Sequence, residues 1–217
     1  MKYLLSLLIL SAASIGPMSV AQAQDAAEGG KKVAMCIGCH GIPAYQASFP
    51  EIHKVPMISG QGAKYIVASL VAYKKGERKH PTMRSIAASM SDKDMADVAA
   101  FYEQHGKDGA ATAPAAAPTP PAEVAELLKK GNCASCHGEN LSKPIDPSYP
   151  KLAGQHADYL YVALKAYQTD KNPKVGRTNA IMMGMARPYT LAEIKVLANY
   201  IGSLPGELKT VPQSRFR

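Results

Sequence analysis

The chain has no tryptophan and only three phenylalanines among 217 residues, so large aromatic side chains cannot carry its core. Beyond the N-terminus no apolar run approaches the roughly 20 residues that a membrane-crossing helix needs. β-Branched clusters and strict apolar-polar alternation are scarce, which gives sheet little support. Arginine runs interleaved with aromatics are absent too, which argues against nucleic acid as a partner despite a net charge of +8. Cysteine occurs at four positions, all inside two short strings, CIGCHG (36–41) and CASCHG (133–138).

The one long apolar stretch stands at the start. Lys2, the run from Tyr3 to Leu10 and the small residues Ala21-Gln22-Ala23 have the pattern of a secretory signal peptide over residues 1–23. The mature chain is then expected to begin near Gln24, outside the cytoplasm. From there on 24 basic side chains face 17 acidic ones, with most of the excess after residue 113. A basic surface of this kind steers acidic partners toward it.

Residues 106–121, GKDGAATAPAAAPTPP, hold no large apolar side chain and are dominated by alanine and proline, the composition of an extended, semi-stiff tether. The tether separates residues 24–105 from 122–217, and these two segments repeat each other. CIGCHG aligns with CASCHG, VPMISGQGAKY (55–65) with YPKLAGQHADY (149–159), and HPTMRSIAASM (80–90) with NAIMMGMARPY (179–189). Ile66, Leu70 and Tyr73 recur at helical spacing, as do Leu160, Leu164 and Tyr167. Thr190 and Glu193 predict a capping box before the stripe Ile194, Leu197, Ala198, Ile201, with Gly202 as the C-terminal cap; Ser91 and Asp94 predict the same start earlier. The fold class expected is all-α, two tandem copies of one small domain. Segments of this size with few aromatics are marginal on their own burial, which leaves a place for a large apolar group at the centre.

Four cysteines in an exported chain have a bland reading as two disulfides, but that leaves the histidine after each pair unexplained. A shared zinc site is disfavoured by the 93 residues between Cys39 and Cys133, and a thioredoxin-like motif by the missing βαβ pattern. CxxCH is the attachment string for c-type haem: two thiols bond the macrocycle and the next residue becomes the proximal iron ligand. Cys36, Cys39 and His40 are expected to hold one haem c, and Cys133, Cys136 and His137 a second. On the opposite side of each iron, Met83 and Met182 occupy matching places ahead of the last helix of each copy. The repeated Met-x-x-x-Ala singles them out, although Met183 and Met185 compete with Met182. His53, His80, His105 and His156 have no counterparts and are expected at the surface.

In this combination the chain resembles the dihaem cytochrome c4 family, tandem class I cytochrome c domains of the bacterial periplasm, through CIGCHG, CASCHG, VPMISGQ, YPKLAGQ, HPTMRSIAASMSDKDMADVAAFY and MMGMARPYTLAEIKVLANYI. The resemblance implies that the carbonyls of Pro56 and Pro150 accept from the proximal histidines. It makes Arg78 and Arg177 candidates for pairing with haem propionates, the other reading being solvated side chains. It calls for a glycine where the first helix crosses the last, a place that Gly29 or Gly30 fits and where the second copy offers Ala125. Two departures stand out: the tether is longer than closely packed domains need, and Glu126 and Leu127 occupy the aligned glycine positions.

The function implied is a periplasmic carrier of single electrons between a quinol-oxidising cytochrome complex and a terminal oxidase or other reductase, and not an enzyme. The lysines of KKGERK (74–79) are candidates for orienting an acidic partner. The alternative is a dihaem electron-transfer subunit of a flavin- or quinone-cofactor dehydrogenase; a dihaem peroxidase or thiosulfate-oxidising enzyme is the more distant rival.

Overall fold

The computed structural model describes residues 24–107 and 118–212. The expected signal peptide and most of the tether lie outside these described residues. Each half contributes five helices in the same order. The first half has α1 (Ala26–Lys32), α2 (Ala34–His40), α3 (Ala63–Lys75), α4 (Pro81–Ala88) and α5 (Asp92–Gln104). The second has α6 (Ala122–Lys130), α7 (Ala134–His137), α8 (Ala157–Gln168), α9 (Ala180–Ala186) and α10 (Leu191–Ser203). Four two-residue strands pair as β1 (Gln46–Ala47) with β2 (His53–Lys54) and β3 (Arg78–Lys79) with β4 (Gly176–Arg177). Among the described residues no helix is long and apolar enough to cross a membrane.

Local chemistry sets the helix ends. Asp25 caps α1 by accepting from the amides of Ala27 and Glu28, and Lys31 and Lys32 occupy its last turn, where cations suit the helix dipole. Both capping boxes form, Ser91 with Asp94 at α5 and Thr190 with Glu193 at α10. Gly202 departs from its expected place as a cap, because α10 runs on through Ser203. A Cβ at Gly202 would stand 2.9 Å from the Gln155 carbonyl oxygen, so the missing side chain lets α10 approach the start of α8.

In the first half α1 lies against α5 at backbone distance. A Cβ on Gly29 would come within 2.1 Å of the Asp97 carbonyl oxygen, while one on Gly30 would meet the Phe101 ring at 3.3 Å, so Gly29 is the crossing residue. Below the crossing, Val33, Ile37, Ile66, Leu70, Met95, Val98 and Tyr102 form the core. The second half solves the crossing differently. Ala125 is only half-buried, and α6 packs through Val124 and Leu127, the latter against Ile194 and Leu197 of α10. A bulky contact of this kind replaces the backbone approach.

The halves close on each other along a seam. Arg78 pairs with Arg177 and Lys79 with Gly176 in the antiparallel β3–β4 ladder. The Lys54 amide donates to Asp158 at 2.9 Å, and Lys165 pairs with Glu51. After α10 the chain returns across the first half: the Lys209 amide donates to the Ser59 carbonyl at 3.0 Å, its Nζ to the Gly106 carbonyl at 2.9 Å, and Leu208 is buried. A long tether therefore does not keep the halves apart.

Gly29→Ala forces two backbones apart and is expected to cost about 1–3 kcal/mol, the range for overpacking, read from chemical denaturation. Acid gives a second check. Asp97, shielded from solvent, accepts from Lys32 and Lys93 at 2.8 Å each, and these bonds hold its carboxyl far below the usual range. Lys32 and Ser91 hold Asp94 down to about 2. A depressed folded-state pKa contributes stability that is complete above the unfolded value of 3.8 and is lost as pH falls toward the folded value. The melting temperature should be flat near neutrality and fall below about pH 4, and Asp97→Asn should flatten that fall; an unchanged acid slope in the variant would contradict the assignment.

Candidate functional site

The two attachment strings sit on equivalent short helices. His40 ends α2 and His137 ends α7. In each case the chain then loops to a proline whose carbonyl meets the ring: Nδ1 of His40 donates to the Pro56 carbonyl at 2.8 Å, and Nδ1 of His137 to the Pro150 carbonyl at 3.0 Å. Burial pushes both histidine pKa values down, against the opposing effect of the carbonyl bond. A neutral imidazole with its proton on Nδ1 keeps an Nε2 lone pair, the form that a metal ligand needs. The four thiols form no bridges among themselves, and burial pushes the Cys36 thiol up to about 11.

The methionines are placed by helix caps. His80 caps α4, and its Nδ1 accepts from the Met83 amide at 3.4 Å, with Pro81 as the first helical residue. Asn179 caps α9 and accepts from the Met182 amide at 3.0 Å. Both methionines are thus the third residue of a side-chain-capped helix. Met183 stands one residue off this register, and Met185 points outward, 46% exposed. The register makes Met182 the counterpart of Met83.

A cavity of about 440 Å³ lies at the seam. It brings together Cys36, Cys39, His40, Met83, Pro56 and Arg78 with Pro150 and Arg177 of the second half. Cys133, Cys136, His137 and Met182 are not on its wall. Cys133 borders a separate cavity of about 220 Å³ with Leu128 and Tyr200. In the second half Tyr189 packs on Leu127, Ile194 and Leu197 and donates its hydroxyl to the Leu127 carbonyl at 2.7 Å, filling space where the aligned residue of the first half is Met90.

Arg78 and Arg177 are interior seam residues. Arg78 donates to Ser69, to the Tyr65 hydroxyl at 3.4 Å and to the Tyr159 hydroxyl at 3.2 Å, and lies over the Tyr73 ring. Arg177 donates to the same Tyr159 hydroxyl at 3.0 Å and lies over the Tyr167 ring. Burial raises the Tyr159 pKa, the two guanidiniums pull it down, and the net value is about 8. No carboxylate pairs with either arginine among the described residues, and the buried Nε of Arg78 has no partner. Two guanidiniums sharing one phenol call for anions. Two thiols, a neutral imidazole, a thioether, a largely apolar wall and this cation pair are a donor set that fits a haem with two propionates.

None of the four histidines expected at the surface is exposed: His105 meets the Ser59 hydroxyl at 2.9 Å and stacks on Phe101, and His156 is half-buried. His53 is buried, its Nδ1 donating to its own neighbour's carbonyl at Lys54 and its ring tilted against Tyr159, and His80 is the cap of α4. KKGERK is also less of a surface than expected: Lys74 donates to the Met90 carbonyl, Lys79 to the Asn172 carbonyl, and Arg78 turns inward. The signal for the seam residues was the equal spacing of Gln61, Tyr65 and Tyr73 with Gln155, Tyr159 and Tyr167.

Two repeated helical units, each presenting a thiol pair and a carbonyl-bonded histidine, define a tandem c-type cytochrome. The cytochrome c family model matches residues 27–106 and again residues 121–205. The chain is 31% identical over 94% of its length to cytochrome c4 of Stutzerimonas stutzeri, covering 99% of that protein. It is 32% identical to the thiosulfate dehydrogenase electron acceptor of Stutzerimonas stutzeri strain A1501, with 78% of each chain covered. Its fold is similar to reduced recombinant cytochrome c4 from Pseudomonas stutzeri, with a TM-score of 0.61 and 28% identity over 84% of this chain and 100% of that one. The chain belongs to the dihaem cytochrome c4 family and carries two covalently bound haem c groups.

Met83→Leu and Met182→Leu are each expected to remove about half of the far-red charge-transfer absorption of methionine-bound ferric haem. Met183→Leu and Met185→Leu should leave it intact. Loss in either of the latter would reassign the second site.

Proposed function

We infer that this protein is a periplasmic electron carrier that passes single electrons from a quinol-oxidising cytochrome complex to a terminal oxidase or other reductase, without binding and transforming a substrate. Haem iron supplies reversible one-electron chemistry when bound. The protein's part would be to supply the ligands that close the metal to other molecules. Cys36, Cys39, Cys133 and Cys136 would tether the groups, and His40 with Met83 and His137 with Met182 would ligate the metal. Pro56 and Pro150 fix the imidazoles, and Arg78 and Arg177 would neutralise propionates. The observation that carries this reading is the repeat of one arrangement in both halves: a histidine bonded through Nδ1 to a proline carbonyl, and a methionine at the third position of a capped helix. A site closed on both sides trades electrons, whereas an open one would permit ligand chemistry.

A second reading has support of its own. The relative named as a thiosulfate dehydrogenase electron acceptor matches at an identity close to that of cytochrome c4, over less of the chain, which supports a reading as the electron-transfer partner of a dehydrogenase. Export rests on the N-terminal pattern of residues 1–23.

The holoprotein should show two haems per chain and fail to bind carbon monoxide when reduced at either centre. Rapid uptake at both would overturn the carrier reading. Reduction by a true acidic partner should slow as ionic strength rises, since screening shortens the reach of the basic surface; co-purification with a larger catalytic chain would favour the dehydrogenase reading.

A further inference from the structure

We propose that Gln61 and Gln155 are positioning residues that tune the two haems crosswise, each acting on the proximal histidine of the other half; this rests on the ligand assignment above. The basis is one peptide group in each half. The carbonyl of Pro56 accepts from His40, and the amide of the same peptide unit, the Met57 N–H, donates to Oε1 of Gln155 at 3.0 Å. Gln155 returns the contact, its Nε2 donating to the Met57 carbonyl at 2.9 Å. The mirror arrangement holds in the other direction. The carbonyl of Pro150 accepts from His137, the Lys151 N–H donates to Oε1 of Gln61 at 2.9 Å, and Nε2 of Gln61 donates to the Lys151 carbonyl at 3.0 Å.

Both glutamines are almost completely buried, at 3% and 4% exposure. Each Oε1 also accepts from the next residue's own amide, Gly62 or His156, at 3.0 Å. With two N–H groups on one side of each carboxamide and a carbonyl on the other, the orientation of both is fixed by the partners. The result is a continuous line from imidazole to peptide to glutamine, crossing the seam once in each direction.

Hydrogen bonds in such a line polarise one another. An N–H donated to a good acceptor places more negative charge on the carbonyl of its peptide, and that carbonyl then draws harder on Nδ1–H. The imidazole gains anionic character and becomes the stronger ligand for the oxidised metal. Removing the glutamine removes this pull, so the reduced form gains ground. The effect falls on the half that the glutamine does not belong to.

Gln155→Leu and Gln61→Leu keep size and remove all three hydrogen bonds of each carboxamide. Each holoprotein is titrated potentiometrically, with the two haems followed separately by their assigned proton resonances and the His40 and His137 Nδ1–H signals read in the reduced state. In Gln155→Leu the haem on Cys36 and Cys39 should become several-fold more reduced at a fixed solution poise, and the His40 Nδ1–H should move upfield, with the other haem unmoved. Gln61→Leu should do the same to the haem on Cys133 and Cys136 and to His137. A shift confined to the variant's own half, equal shifts in both haems, or no shift overturns the proposal. The charge-transfer band separates the two failures: with the band intact, only the glutamine assignment falls, and with the band absent in the unaltered protein the ligand assignment falls first.

Discussion

An imidazole N–H held by a proline carbonyl, once in each half, is the bond around which the rest of the molecule is arranged. It fixes the proton on Nδ1 and so leaves Nε2 for metal, which is a demand of chemistry and not of packing. It also fixes where the loop after each attachment helix must pass. That loop carries the glutamine four residues beyond Met57 or Lys151, and the glutamine reaches the opposite loop. The seam between the halves is therefore built from the same two loops that orient the histidines. A chain that lost the histidine contact would also have to rebuild its interface.

Duplication kept this arrangement and altered its surroundings. Both methionines sit third in a capped helix, but the cap is a histidine in one half and an asparagine in the other. Arg78 has Ser69 and Tyr65 to itself, while Arg177 shares only the Tyr159 hydroxyl among these contacts. The α1–α5 crossing depends on Gly29 and on a solvent-shielded aspartate between two lysines, whereas α6 meets α10 through Leu127 and the Tyr189 hydroxyl. Two haems in such unequal settings experience different polarity and hydrogen bonding, the quantities that set potential. The sequence changes thus fall around a preserved pairing of histidine with proline carbonyl and of methionine with a helix cap.

Much of this was legible before the fold. The CxxCH strings, the capping boxes and the helical stripes depend on neighbours within a few residues, so short-range pattern reports them faithfully. Gly202 was misread because its role is tertiary: it makes room for Gln155 and Ala157, which lie far away in sequence. His53 was placed at the surface because it lacked a counterpart, yet a residue unique to one half is well suited to an asymmetric seam, where it packs on Tyr159. Arg78 carried two open readings, and its interior contacts come from the Tyr73 ring five residues earlier and the Tyr159 hydroxyl in the other half. Residues whose partners lie across a pseudo-symmetric interface leave only a spacing echo in the sequence, here the matched glutamines and tyrosines.

The long tether and the close seam are compatible for a reason of mass action. Carrying two surfaces on one chain makes their association intramolecular, at an effective concentration on the order of millimolar for a short tether. A seam held by a handful of side-chain to backbone bonds, each worth roughly 0.5–1.5 kcal/mol net, can then stay closed without a large apolar interface. The tether's end is tied down as well, the Tyr200 hydroxyl donating to the Pro118 carbonyl at 3.0 Å. The returning C-terminal segment adds Lys209 to Ser59 and Lys151 to Glu207 at the far side of the same loops. Tether and return segment together bracket the seam, so Gln61, Gln155 and the Arg78–Tyr159–Arg177 contact hold the two halves together without demanding a short linker.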